Sequence, residues 1–186
     1  DRPGPVYLEV PTDLLMEPAS DAGGPGSEEA QGPLPDLDAA LSMLRKAKQP
    51  LLLAGTGVVR ANLAHEVRLL AEAMSAPVVT TTNSKGVLSE DHPLAFGHAS
   101  RGGAVREMVR AADLCLAIGT RLRESDVKQH GLVLPRLIHV DWDDRWIGKN
   151  YETEIALAGH VPGIVKGLLT GLAGHATAKV ASSADA

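Results

Sequence analysis

The sequence predicts an α/β domain in which helices cover both faces of a doubly wound, mostly parallel β-sheet. Two features support this fold class: several short runs consist almost wholly of apolar residues, and the segments between them carry apolar residues at helical spacing. Uniformly apolar strands are typical of a parallel sheet that is buried on both faces by helices. Because such crossovers are right-handed, we expect a Rossmann-like domain from about residue 36 to residue 172.

Five short apolar or β-branched runs are predicted to form the strands of this sheet. Most of them end at a glycine or an aspartate, where a strand would pass into a loop. The runs are Leu51–Ala54, Pro77–Thr82, Leu114–Ile118, Leu137–Val140 and Ile155–Ala158.

Helices are predicted where apolar residues recur at intervals of three and four. Asp36 is expected to cap the first helix and Asn62 the second, and Pro162 is expected in the first turn of the last. The segment from Asn83 to Gly103 is predicted to be a loop. The four apolar faces are Leu37, Leu41 and Leu44; Leu63, Val67, Leu70 and Met74; Val105, Met108, Val109 and Ala112; and Ile164, Val165, Leu168 and Leu169.

The first residues of the chain have a different pattern from the rest. Val6–Val10 is an apolar run closed by Pro11, which predicts a strand, and a Gly/Pro/Ser-rich passage with linker composition follows from Pro18 to Pro35. One strand cannot bury itself, so we expect it to belong to a sheet that other chain supplies. The domain limits predicted are 1–17 for that segment, 18–35 for the linker, 36–172 for the main domain and 173–186 for a small, polar tail or linker.

Composition excludes several classes of function. The 186 residues are 44% hydrophobic with a formal net charge of -5, which argues against a nucleic-acid partner, since a basic stripe would be expected there. No apolar stretch approaches a membrane span and no signal-peptide pattern opens the sequence, so a cytoplasmic protein without a membrane partner is expected. The single cysteine, Cys115, lies in an apolar run and excludes a cysteine metal cluster. No hydrolase, zinc-protease or Walker motif occurs, so neither a catalytic residue nor a metal ligand is predicted in this chain.

Gly55 and Gly57 follow the first strand of the main domain, where a nucleotide phosphate would meet a helix N-terminus. The full dinucleotide fingerprint fails, because its third glycine would fall on Arg60. Thr80–Asn83 stands at the end of the second strand in the place of the acid that binds a ribose, which disfavours an NAD-dependent oxidoreductase. The alternative is that both glycines only permit a tight turn from strand to helix.

Three further residues complete a candidate nucleotide site. Gly97 lies in a glycine-bearing stretch that could hold an anion through its amides, with help from Arg101, or could be an ordinary loop. Arg121 follows the third predicted strand and could bind a phosphate or an acid of a neighbouring domain. Asp141 follows the fourth strand and is expected to accept hydrogen bonds from a ribose or from a backbone turn.

Other residues near these positions are given no ligand role. A catalytic or metal-binding role is not expected for His98, and the acidic run around Asp141 is not expected to bind a metal, since a metal site needs several converging ligands. Trp142 and Trp146 are expected to pack at a domain contact instead of stacking on a base.

The order of these motifs resembles the thiamine-diphosphate-dependent enzymes of the acetolactate synthase type. The segment from Arg2 to Leu15 is similar to the last strand of their pyrimidine-binding domain, and the motifs that follow are similar to their central domain. The central-domain motifs are Lys48–Gly57, Ala76–Thr82, Lys85–Pro93, Ala112–Arg121 and Ile138–Asp141.

The resemblance implies a homo-oligomeric enzyme that decarboxylates or ligates 2-oxo acids through a thiamine diphosphate carbanion, with Mg²⁺ anchoring the diphosphate. In that family the activating glutamate lies in the first domain, and a Gly-Asp-Gly motif for the diphosphate and Mg²⁺ lies in the third. Neither is in this sequence. The flanking pyrimidine- and diphosphate-binding domains are therefore the implied partners, and this chain alone is expected to be inactive.

Some members of that family hold FAD or ADP on the central domain, and this sequence departs from their pattern. FAD-binding members commonly follow the Gly-x-Arg motif with Phe-Asp-Asp-Arg, whereas Leu122–Ser125 stands here. They commonly place Gly-Asp after the last strand, whereas this chain has Gly159 and His160, so a usual acceptor for the adenine side is missing. We therefore expect no tightly bound FAD. A stand-alone module that binds FAD, ADP or CoA is the alternative function.

Overall fold

The computed structural model describes residues 5, 7–16, 18, 33–100 and 102–173. The chain separates into two compact units, Asp1–Gly32 and Pro33–Ala186. Within the described ranges no helix has the length and apolar character needed to cross a membrane.

Among the described residues of the second unit, six strands form one sheet in the order β3-β2-β1-β4-β5-β6. Every neighbouring pair is parallel. This is the strand order of a doubly wound Rossmann-like sheet, so the predicted fold class is confirmed. The strands are β1 (Pro50–Ala54), β2 (Val78–Thr80), β3 (Ala95–His98), β4 (Leu114–Ile118), β5 (Arg136–Asp141) and β6 (Ile155–Ala158).

Five α-helices lie in the part of the chain that the structure describes. They are α1 (Asp38–Lys46), α2 (Thr56–Arg60), α3 (Ala64–Met74), α4 (Gly103–Ala111) and α5 (Val161–Leu172). Apolar side chains of α1, α3 and α5 pack with one face of the sheet, and those of α4 and of the segment before β5 pack with the other. The sheet is therefore covered on both faces, as the sequence predicts.

Strand β1 shows why the apolar runs predict this arrangement. All five of its residues are buried, and alternate side chains go to opposite faces: Leu51 and Leu53 to one core cluster, Leu52 and Ala54 to the other. A strand at the centre of a sheet covered on both sides has no polar face, so its sequence is a continuous apolar run.

The predicted loop from Asn83 to Gly103 is wrong in part, because it contains the edge strand β3. The strand is only half-buried, and Gly97 has a positive φ of 81° beside a register shift between Val78 and Val79. A short edge strand with such an irregularity lacks the continuous apolar run that marks the other strands. The remaining five predicted strands are all present, with ends that differ by at most two residues.

Of the three residues predicted at helix starts, Pro162 is confirmed, whereas Asp36 and Asn62 each lie one residue before the observed N-cap. Pro162 lies in the first turn of α5, as predicted. The N-cap of α1 is Leu37 instead of Asp36, and Asp36, one residue earlier, accepts a hydrogen bond from the Asp38 amide through Oδ1 at 2.9 Å.

Leu63 is the N-cap of α3, and Asn62 adopts a left-handed conformation (φ 53°) in the turn between α2 and α3. The short helix α2 was not predicted. Asparagine tolerates the left-handed conformation better than most residues, and it is also a common helix cap. The residue type alone therefore does not distinguish a turn from a cap.

In the first unit the predicted strand Val6–Val10 is not formed by its described residues. Val6 lies outside the described residues, and Tyr7–Pro11 have no strand hydrogen bonds and lead into a 3₁₀ turn, Thr12–Met16. Tyr7 and Leu8 are 86% and 80% exposed. A strand needs a neighbour to satisfy its backbone groups, and the described residues of the first unit contain no second strand.

Leu44 gives a direct test of the core. Its side chain is fully buried in α1, so Leu44→Ala should lower the free energy of unfolding by about 2–5 kcal/mol through lost burial and the cavity that remains. Leu8→Ala is the matched control and should change it by less than about 0.5 kcal/mol. Urea denaturation followed by circular dichroism measures both, and equal effects would contradict the packing described.

Candidate functional site

The candidate site lies at the carboxyl ends of β1 and β4, the two neighbouring strands at which the strand order reverses. In open α/β sheets the loops at this point lead away in opposite directions and leave a crevice for ligands. We use the name crossover crevice for residues 55–57, 119–121 and 141–142. It brings together four of the five predicted site residues, Gly55, Gly57, Arg121 and Asp141.

The turn after β1 packs directly on the turn after β4. A Cβ atom on Gly55 would lie 2.5 Å from Cβ of Thr120, and one on Gly57 would lie 2.7 Å from Cα of Gly119. Gly119 itself has a φ of 62°. Real Cβ atoms do not approach this closely, so glycine is required for the contact between the two backbones. The interpretation of Gly55 and Gly57 as residues that permit a tight turn is therefore supported.

The amides of this turn are already used within the domain. Gly55 N–H donates to Ile118 O at 2.9 Å, Gly57 N–H donates to Gly119 O at 2.9 Å, and Val58 N–H donates to Gly55 O at 3.0 Å. A phosphate at a helix N-terminus is held by free backbone amides. These three amides are not free, and α2 is only five residues long.

Arg121 stacks on an aromatic ring of its own domain. Its Cζ lies 4.3 Å from the ring centroid of Trp146, and Lys149 Nζ lies at the same distance from that ring. Asn150 donates from Nδ2 to the Arg121 carbonyl at 2.9 Å, which fixes the backbone as well. The buried Nε of Arg121 has no hydrogen-bond partner among the described residues. Trp146 was expected to pack at a contact between domains. In the structure Arg121 of the same domain lies on its ring.

Asp141 is fully buried at the end of β5, and its Oδ1 accepts a hydrogen bond from the Asp143 amide at 3.2 Å. Of the two predicted roles, acceptance from a backbone turn is thus observed. In turn, Asp143 caps the 3₁₀ turn Asp144–Trp146 and binds the Arg145 side chain. Within the described ranges no group of three or more His, Cys, Asp or Glu residues could hold a metal ion.

His139 is a site residue that sequence reasoning missed. It is buried in β5, and its Nε2–H donates to the Thr120 carbonyl at 2.7 Å, which ties β5 to the turn after β4. Burial lowers the pKa of His139, while the Thr120 carbonyl and the Asp141 carboxylate oppose that shift. The signal in the sequence was a polar residue inside an otherwise apolar strand.

Gly97 does not join the crossover crevice, and its predicted loop position is corrected by the structure. It lies within β3, where it pairs with Val79, and its carbonyl accepts a hydrogen bond from Thr80 Oγ1 at 3.3 Å. Strand β2 separates it from β1. The neighbouring His98 accepts from the Ser100 amide through Nδ1 at 3.0 Å, and Arg101 lies outside the described residues.

Comparison with known proteins matches residues 37–168 to the family model "Thiamine pyrophosphate enzyme, central domain". The chain is 32% identical over 185 residues to a "Probable acetolactate synthase large subunit" of Methanocaldococcus jannaschii. The aligned stretch covers 92% of this chain and 31% of that protein. It is 33% identical to a "Probable 2-ketoarginine decarboxylase" of Pseudomonas aeruginosa, with the same coverage. It is 31% identical to the acetolactate synthase large subunit of Corynebacterium glutamicum, over 90% of this chain and 28% of that protein. The chain thus spans roughly a third of the length of these relatives.

The contact between the two turns can be tested with Gly55→Ala. The new Cβ would clash with the backbone and side chain of Thr120, so we expect the free energy of unfolding to fall by at least about 2 kcal/mol. Gly103→Ala is the matched control, because a Cβ there meets nothing within 4 Å at the start of α4. It should leave stability unchanged or raise it by up to about 1 kcal/mol. If Gly55→Ala is as stable as Gly103→Ala in a denaturant titration, the turns do not pack as described.

The lowered pKa of His139 makes stability depend on pH. Below the ordinary histidine pKa of about 6.5 the unfolded chain takes up a proton that folded His139 resists, so stability should fall as pH decreases from about 7 to about 5. In His139→Gln this component is absent, and the slope of stability against pH should be shallower by at most about 1.4 kcal/mol per pH unit. Urea midpoints at a series of pH values measure the slope. Parallel curves for the two proteins would refute the assignment.

Proposed function

This chain belongs to the thiamine pyrophosphate enzyme family as its central domain, and we propose that it has a structural, non-catalytic role in a longer enzyme. That enzyme would be a thiamine-diphosphate-dependent 2-oxo acid decarboxylase or carboligase resembling acetolactate synthase. The observation that carries this proposal is the crossover crevice, in which the amides of Gly55, Gly57 and Gly119 donate to backbone carbonyls of the domain. The match of nearly the whole chain to a part of much longer relatives supports it further.

Thiamine diphosphate and Mg²⁺ do not fit the described residues of this chain. The described residues offer no cluster of potential metal ligands, and the amides of Gly55, Gly57 and Val58 in the turn after β1 donate to backbone carbonyls. Both groups would therefore be held by other domains of the parent enzyme. This supports the expectation that the chain alone is inactive.

A tightly bound FAD or ADP does not fit the crossover crevice either. Gly55 and Gly57 contact the opposite turn instead of presenting amides to a phosphate, and the guanidinium of Arg121 lies on Trp146. We infer that Gly55, Gly57, Arg121 and Asp141 are the remnant of a nucleotide site, whereas Gly97 belongs to the edge strand. The alternative, a stand-alone nucleotide-binding module, has only the unpartnered Nε of Arg121 in its favour.

The proposed partners are the flanking domains of the same polypeptide. Residues 1–17 would end a preceding pyrimidine-binding domain, 18–35 would link it to the central domain at 36–172, and 173–186 would lead onward. The exposed Tyr7 and Leu8 side chains support this role for the first segment, because a neighbouring sheet would cover them. We further propose that the parent enzyme is a cytoplasmic homo-oligomer to whose subunit contacts this domain contributes.

Isothermal titration of the 186-residue chain tests the proposal. Thiamine diphosphate with MgCl₂, FAD and ADP should each give no binding heat and no thermal shift, and pyruvate should not be decarboxylated in their presence. Binding of thiamine diphosphate with Mg²⁺ near one per chain, or any decarboxylation, would refute the non-catalytic role. Titration of thiamine diphosphate with MgCl₂ into the chain extended by its flanking domains provides the positive control.

A further inference from the structure

Three glycines lie on one face of α5, at intervals of four residues. Apart from proline, glycine is the least favourable residue in a helix interior, so three of them in a helix of 12 residues need a packing reason. A Cβ on any of them would come closer to a leucine methyl group than real Cβ atoms approach. The three pairs are Gly163 with Leu34, Gly167 with Leu37 and Gly171 with Leu41.

Two of these contacts belong to the packing of α1 on α5. Leu37 is the N-cap of α1, and Leu41 is buried within that helix. Arg45 also donates from Nη2 to the Gly171 carbonyl at 2.6 Å, which ties the last turns of the two helices together. Leu34 is different, because it lies four residues before the first residue of α1. The third glycine therefore receives a residue of the segment that leads into the domain.

Leu34 lies against the first turn of α5. A Cβ on Gly163 would be 2.7 Å from Cδ2 of Leu34 and 3.0 Å from Nδ1 of His160, the N-cap of this helix. We use the name glycine notch for this space at Gly163, between the leucine and the imidazole. Leu34 remains 49% exposed, so its other side faces away from the domain. The contact thus adds a point of attachment outside the buried core.

The backbone around Leu34 has little freedom of its own. Pro33 and Pro35 flank it; each proline has a fixed φ, and a residue that precedes a proline is restricted to extended conformations. Asp36 then accepts the hydrogen bond from the Asp38 amide at the start of α1. A segment that has few conformations loses little entropy when one side chain is held in place. The sequence around Leu34 therefore favours a fixed attachment over a loose one.

We propose that the contact of Leu34 with the glycine notch anchors the interdomain linker to the central domain. This rests on the proposed function, in which residues 18–35 connect the domain to a preceding one. It goes further, because the last residues of that linker would be part of the rigid domain. The preceding domain would then be tethered at Pro33, beside the first turn of α5, and one side chain would determine the point of attachment.

The test is ¹⁵N relaxation of the residue-34 amide in the 186-residue chain and in three variants. Leu34→Ala withdraws the side chain from the notch, and Gly163→Ala fills the notch from the other side. Leu34→Met is the matched control, since it keeps an apolar side chain of similar volume. Far-ultraviolet circular dichroism identifies the folded variants, and the amides of α1 provide the rigid reference in each of them.

In the unaltered chain and in Leu34→Met, we expect the order parameter of the residue-34 amide to match that of α1, at about 0.85. In Leu34→Ala and Gly163→Ala it should fall below about 0.6, while α1 keeps its value. Leu34→Ala decides alone if Gly163→Ala does not fold, because the Leu34 side chain is half-exposed and outside the core.

Two results would overturn the anchor. One is a residue-34 amide that is already mobile in the unaltered chain. The other is an amide that stays rigid in Leu34→Ala or in folded Gly163→Ala, because the prolines alone would then hold the segment. Neither measurement involves a ligand or turnover, so these results would leave the non-catalytic role in place. Conversely, binding of thiamine diphosphate with Mg²⁺ to the chain would refute that role without changing these order parameters.

Discussion

The two turns at the centre of the sheet touch through their backbones, and the rest of the site depends on that contact. Gly55 and Gly57 can approach Gly119 because none of the three has a side chain, and two hydrogen bonds close the contact at 2.9 Å. Backbone amides bonded in this way are not available to a ligand. Gly55 and Gly57 make the sequence resemble a nucleotide-binding turn, but in the structure their amides bond to the turn after β4.

The connection between β5 and β6 completes this closed edge of the sheet. Trp142 covers Gly57, Trp146 lies on Arg121, and Asn150 holds the Arg121 carbonyl. On the other side of the same turn His139 holds the Thr120 carbonyl. The connection between β5 and β6 thus holds Arg121, and strand β5 holds Thr120. The domain's own contacts hold this end of the sheet, so its geometry does not depend on a bound ligand.

Much of the fold is predictable from local sequence, because buried strands such as Leu114–Ile118 must be apolar on both faces and helices repeat with their own period. Strand β3 was not predictable in this way, since an edge strand with a bulge at Gly97 has neither feature. The strand expected at Val6–Val10 shows the opposite error, a strand predicted where none is formed by the described residues. An apolar run forms a strand only if a partner strand is present.

The positions of Arg121 and Asp141 at one edge followed from the topology. Their partners did not, because contacts such as Arg121 with Trp146 join residues far apart in sequence.

Native-state hydrogen exchange of the Gly57 amide tests the central claim, the closure of the crevice by the chain itself, most directly. If Gly57 N–H donates to Gly119 O within a packed contact, it should exchange only when the whole domain unfolds, with the same opening free energy as amides of β1 and β4. Exchange at the rate of an exposed loop amide, while the strand amides stay protected, would show that the turn is open and would contradict the account.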